Sequence, residues 1–146
     1  MFRGIQHCAL VVSDLERSRR FYGDALGLTE ISRPSSFAFA GAWFRAGEDE
    51  VHLIVESDTT MPAGGAATGP GLRAGLVTHL ALEVDDLAAM LDRVRERGVE
   101  IGSGPMARGD GVDQAFVLDP DGYVVEVFER TEADQSDAPQ RLPVRS

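Results

Sequence analysis

The chain has 146 residues, 43% of them hydrophobic and 26% charged, with a formal net charge of -10 at pH 7. That length supports one domain with a sizeable core and is too short for two large ones, and no apolar run approaches the roughly 20 residues that span a bilayer. The negative charge repels phosphate backbones and anionic lipid, which argues against nucleic acid and membranes as partners, and with Cys8 the only cysteine neither an intrachain disulfide nor a cysteine-type zinc site is available.

Residues 1–12 carry one arginine but neither a long apolar stretch nor a small-residue cleavage site, so no secretory signal is expected and a cytoplasmic location is the default. From His7 to Val12 the chain reads as a strand. Ser13 followed three residues later by Glu16 forms a capping box. It predicts a helix with Leu15, Phe21, Tyr22, Ala25 and Leu26 on its apolar side, stopped by Gly27. Strand-like runs follow at Phe37–Ala40, Ala42–Ala46 and Val51–Val55. Residues 57–75, rich in Gly, Thr, Ala and Pro, read as a linker.

A second strand starts at His79, and Asp85 or Asp86 caps a second helix whose stripe is Leu87, Met90, Leu91 and Val94 and whose stop is Gly98. A run near Glu100–Ile101 and Met106 comes next, then strands at Gln114–Leu118 and Tyr123–Glu129. Between these last two, Asp119-Pro-Asp-Gly122 is a hairpin turn. The polar tail beyond Arg130, with two prolines, is expected to be disordered.

The chain repeats itself. His7-Cys-Ala-Leu-Val-Val-Ser-Asp-Leu15 aligns without gaps on His79-Leu-Ala-Leu-Glu-Val-Asp-Asp-Leu87, sharing six residues of nine at an offset of 72. Each half therefore reads as strand, helix and three strands. The expected organisation is one domain over residues 1–129 with modules at about 4–56 and 76–129, linker 57–75 and tail 130–146.

Strand periodicity sends Cys8, Leu10 and Val12 toward the first helix and leaves His7, Ala9 and Val11 on the opposite face. In the second copy Leu80, Leu82 and Val84 face the helix, and His79, Ala81 and Glu83 look the other way. The last strand of each half holds one polar residue among apolar ones, His52 in the first and Glu126 in the second. All three histidines and one carboxylate thus occupy paired repeat positions. A buried carboxylate needs a counter-charge, and a divalent cation among three imidazoles provides one. Without thiolates the donor set suits zinc, nickel, cobalt, manganese or iron. Phe37, Phe39, Trp43, Phe44, Phe116 and Tyr123 are candidates to wall a pocket for a flat ligand.

These motifs, together with Arg20-Phe-Tyr-Gly-Asp-Ala-Leu-Gly-Leu28 and Asp119-Pro-Asp-Gly-Tyr-Val-Val-Glu126, resemble the vicinal-oxygen-chelate superfamily of glyoxalase I, extradiol dioxygenases and the bleomycin resistance proteins. The resemblance covers about residues 4–129. It implies an α+β fold, two βαβββ modules forming a cupped eight-stranded mixed sheet with helices on the convex side, and a homodimer. It also implies one divalent metal ion held by His7, His52, His79 and Glu126, with Glu126 and His52 as catalytic groups. The activity implied is that of a glyoxalase-like lyase or isomerase acting on a small substrate chelated through vicinal oxygens, by way of an enolate-like intermediate. Two alternatives stand beside it. One is an extradiol-type iron(II) dioxygenase using His7, His79 and Glu126, with His52 as acid-base group; the other is a non-catalytic drug- or metabolite-binding protein. The sequence departs from glyoxalase I in carrying His52 where a glutamate is common.

Overall fold

A computed structural model describes residues 1–64, 72 and 75–131; the tail from residue 132 and residues 65–71, 73 and 74 of the expected linker lie outside the described residues. Apolar alternation from His7 to Val12 forms strand β1, with Leu10 and Val12 in the core, Cys8 half-buried beside them, and His7 and Ala9 exposed. Helix α1 (Leu15–Arg19) runs directly into a π-helical turn, Arg20–Ala25. Its cap is Asp14, whose carboxylate accepts from the Arg17 N–H at 3.0 Å. The expected cap, Ser13, instead bonds through its N–H and hydroxyl to Asp121 in the other half. A carboxylate suits the positive end of a helix, and the serine has a charged acceptor elsewhere. The wide turn, closed by Leu26 N–H to Phe21 carbonyl at 2.9 Å, places Phe21, Tyr22, Ala25 and Leu26 in the core. Gly27 then takes a φ of 81° and ends the segment.

Strands β2 (Thr29–Ile31), β3 (Gly41–Ala46) and β4 (Asp49–Val55) complete the first module. Phe37–Ala40, expected as a strand, is part of a loop. Its alternating phenylalanines pack on each other and on Trp43, with ring centroids 5.4 and 5.5 Å apart. Arg33 pins the loop by donating to the Gly41 and Phe39 carbonyls at 3.0 and 2.8 Å. Gly41 itself lies so close to β4 that a Cβ there would sit 2.2 Å from the Leu53 carbonyl oxygen.

The second module repeats the plan with β5 (His79–Glu83), α2 (Leu87–Glu96), β6 (Ile101–Ala107), β7 (Val112–Leu118) and β8 (Val124–Arg130). Asp86 is the cap of α2, accepting from the Ala89 N–H at 2.8 Å. Leu87, Leu91 and Val94 are buried along its stripe. At the β7–β8 turn the Gly122 N–H meets the Asp119 carbonyl at 3.0 Å, with Gly122 at a φ of 85°. Among the described residues the eight strands make two four-stranded mixed sheets, ordered β1-β4-β3-β2 and β5-β8-β7-β6. In each, the first strand runs parallel to its neighbour and the rest are antiparallel. This is the expected pair of βαβββ modules.

One apolar core joins the halves: Val12, Tyr22, Phe44 and Leu53 from the first meet Leu91, Val94, Val117 and Val125 from the second. Polar ties cross the same boundary. Tyr22 donates to Asp119 at 3.0 Å, Arg93 donates to the Ala25 and Asp24 carbonyls at 2.9 and 2.7 Å, and Tyr123 donates to the Val11 carbonyl at 2.9 Å. Among the described residues no helix is long and apolar enough to cross a membrane.

Candidate functional site

Strand register lays the polar residues of the first sheet out as two rows on the face away from the core. One row runs Ile31, Trp43, His52, Ala9; the other runs Thr29, Arg45, Glu50, His7. Directly opposed residues share a face of the sheet, so their contacts follow. Trp43 and His52 stack with centroids 3.9 Å apart and planes within 2°, and His52 stacks in turn on His7 at 4.2 Å. Glu50 accepts from His52 Nε2 at 2.7 Å and approaches Arg45 at 3.6 Å. The hydrogen bond from His52, helped by Gln6 and Arg45, holds Glu50 below the ordinary carboxylate range.

In the second sheet His79, Glu126 and Phe116 share the corresponding face. His79 Nε2 lies 2.9 Å from Glu126 Oε2, and Phe116 meets the His79 ring edge-on at 5.6 Å. Glu126 is only 4% exposed. Its other oxygen, Oε1, accepts from Arg108 at 3.2 Å. Arg108 also pairs with Asp110 at 2.8 Å and thereby holds the Asp110 carboxyl below its usual range.

The four expected ligands are thus gathered within the chain as two pairs, His7 with His52 and His79 with Glu126. Among the described residues no three His, Cys, Asp or Glu side chains gather closely enough to share one cation. Tyr123, just before β8, bonds the Val11 carbonyl of β1, and His79 is in register with Val124. A cleft of about 920 Å³ is lined by residues of both halves, among them His7, Glu50, His79 and Glu83. Glu83 accepts from Arg130 at 2.9 Å and serves as an exposed ion-pair partner.

Hydrogen-bond partners assign the ring nitrogens. A carbonyl can only accept, so the Val77 carbonyl, 2.7 Å from His79 Nδ1, takes that N–H, and Nε2 is the ring nitrogen turned to Glu126. His52 gives its Nε2–H to Glu50, and His7 gives Nδ1–H to Gln6. Each imidazole thus has a neighbour that fixes its ring through one nitrogen, the arrangement a metal-ligating histidine uses.

Of the six aromatic candidates, Phe37, Phe39 and Trp43 lie together on this face, Phe44 and Phe116 are buried, and Tyr123 ties the modules. Glu50 and Arg108 are the site residues that the sequence reading passed over. Glu50 could have been found, since it stands two positions before His52 in one strand. Arg108 gave no local signal, because it lies beyond β6 and reaches Glu126 only through the fold. Partial burial raises the Cys8 thiol, which disfavours the reactive thiolate.

Comparison with known proteins follows the same lines. A lactoylglutathione lyase of Neisseria meningitidis is 33% identical over 142 residues, covering 92% of this chain and 96% of the relative. Among solved structures, a glyoxalase/dioxygenase from Nostoc punctiforme has a TM-score of 0.70 at 26% identity, covering 89% of this chain and 92% of the other. An antibiotic binding protein from Streptomyces has a TM-score of 0.67 at 25% identity, covering 89% and 98%. Residues 4–127 match the profile of the Glyoxalase/Bleomycin resistance protein/Dioxygenase superfamily, and with the paired modules described above the chain belongs to that superfamily.

Proposed function

We propose that the protein is a glyoxalase-type lyase or isomerase in which His7, His52, His79 and Glu126 hold one divalent cation and the substrate offers two neighbouring oxygens. The observation that carries this reading is the His79–Glu126 pair. With Nδ1–H given to Val77, Nε2 faces a carboxylate oxygen of Glu126 at 2.9 Å, a pair of donor atoms between which a divalent cation can take the place of a shared proton. Three imidazole nitrogens and one carboxylate fit zinc, nickel, cobalt, manganese or iron(II).

When bound, the cation supplies Lewis-acid stabilisation of negative charge developing on the substrate oxygens. Glu126 is the base. Arg108 holds its Oε1, and the carboxylate, leaning from the cation toward the substrate carbon, takes a proton from that carbon and returns it to the neighbouring one; such a base is worth about 10²- to 10⁴-fold in rate. His52, held by Glu50 on one side and packed between Trp43 and His7, is fixed in orientation. The relatives named lactoylglutathione lyase support a glyoxalase-type reaction. The reading includes a homodimer, in which His7 and His52 of one protomer meet His79 of the partner subunit and Glu126 of the partner subunit, since one chain assembles only the two half-sets.

A second reading, sequestration of a flat ligand without turnover, is favoured by the Phe37, Phe39 and Trp43 cluster beside His52 and by likeness to an antibiotic binding protein. Elemental analysis of protein purified without added metal, followed by an assay of hemithioacetal isomerisation, separates the two. The expected result is one equivalent per site and turnover. His79→Ala should abolish stoichiometric uptake with an unchanged circular dichroism spectrum, and a full equivalent in that variant would overturn the assignment.

A further inference from the structure

One part of the first sheet's open face is not used by the ligand set. Trp43 turns one side of its indole to His52 at 3.9 Å. Its register neighbour on the other side is Ile31 of β2, and there a depression of about 590 Å³ is lined by Ile31, Arg33, Pro34, Trp43, Arg45 and, at its inner edge, the carboxylate of Glu50, among others. Arg45 stands two residues from Trp43 on the same face. Its side chain is 52% exposed and approaches Glu50 only at 3.6 Å. Arg33, fixed by the loop carbonyls and lying over Phe39 at 4.7 Å, bounds the other side. In a chain of net charge -10 this places two guanidinium groups and a single carboxylate, Glu50, beside an indole face, a local excess of positive charge.

The geometry points to a recognition pocket for a planar aromatic carboxylate, whose ring stacks on the outer face of Trp43 and whose anionic group pairs with Arg45. The ring would extend the existing series His7, His52, Trp43 by one member, in the offset arrangement aromatic faces prefer. The carboxylate would gain a charge-assisted hydrogen bond from a guanidinium whose pairing with Glu50 is loose, at 3.6 Å. As a substrate-seating pocket it rests on the proposed role of His7 and His52; as a binding site it needs no metal.

Trp43 is the only tryptophan, so the nitrogen-15 spectrum of the full chain contains one indole N–H signal to report on the pocket. The probes are benzoate, benzyl alcohol, which keeps the ring without the charge, and cyclohexanecarboxylate, which keeps the charge without the flat ring. Benzoate should shift the signal saturably and bind about tenfold more tightly than either relative. Arg45→Gln should weaken benzoate about tenfold and leave benzyl alcohol unchanged, and His79→Ala should bind benzoate as the parent does. No saturable shift with benzoate, equal binding of cyclohexanecarboxylate, or indifference to Arg45→Gln would each overturn the pocket. Metal content measured on the same samples tests the other reading separately: benzoate binding without metal uptake sinks only the metal site, and metal uptake without benzoate binding sinks only the pocket.

Discussion

Asp119 shows how much one buried carboxylate carries. It accepts from Tyr22 Oη at 3.0 Å and from the Asp121 and Tyr123 N–H groups at 2.9 and 2.8 Å, so Asp119→Ala strands three donors and should cost about 3 kcal/mol in chemical denaturation. Burial raises its pKa above the ordinary 3.8 in spite of those bonds. A carboxyl that holds its proton more tightly when folded contributes stability that is complete below the unfolded value and is lost as pH rises through the folded one. The stability of the parent relative to Asp119→Asn should therefore fall as pH is raised from about 3 toward 7; a constant difference would contradict the raised value. Glu50 and Asp110, both lowered, work in the opposite sense and lose their contributions in acid. At this scale the sequence was informative where strand alternation applies. His7, His79 and Glu126 stand on the faces expected of them, Glu50 was readable by the same rule, and Arg108 was not readable at all.

Among the elements, those with strong punctuation were legible. Gly27 and Gly98 stop the helical segments, and the Asp119–Gly122 turn closes β7 onto β8. Strand β2 is only three residues, Thr29–Ile31, too short to show alternation, and the run Phe37–Ala40 alternates because its aromatic rings pack in a loop. Which residue caps α1 depended on Asp121, more than a hundred positions away, and local spacing carries no such information. At Gly41 the backbones of β3 and β4 leave no room for a side chain. Gly41→Ala would drive a methyl to 2.2 Å from the Leu53 carbonyl oxygen, a backbone atom that cannot rotate aside. We expect a loss of about 3 kcal/mol, read as a lower thermal midpoint together with altered Trp43 emission, since Trp43 sits two residues along the same strand.

For the molecule as a whole, duplication made the architecture readable, but the way the halves face each other was not. That relation depends on individual side chains, Tyr22 on Asp119 and Tyr123 on Val11, which hydrophobic patterning does not encode. Because the core is shared, the modules should unfold together. Leu91→Ala, wholly within the second, should cost about 2 to 4 kcal/mol and shift the transition seen by Trp43 fluorescence in the first by the same amount as that seen by circular dichroism; separate midpoints would show independent halves. The homodimer has its own test. His52→Ala and Glu126→Gln should each be inactive, and a one-to-one mixture allowed to exchange subunits should recover about a quarter of parent activity if sites form across the interface. No recovery would place each site within one chain. The duplication is also imperfect where it matters most: matching places in the final strands of the two modules hold an imidazole, His52, and a carboxyl group, Glu126. A molecule lying across the two sets cannot be turned end for end without exchanging those neighbours. On the proposed chemistry its proton departs toward a single side, and the product is formed with one handedness.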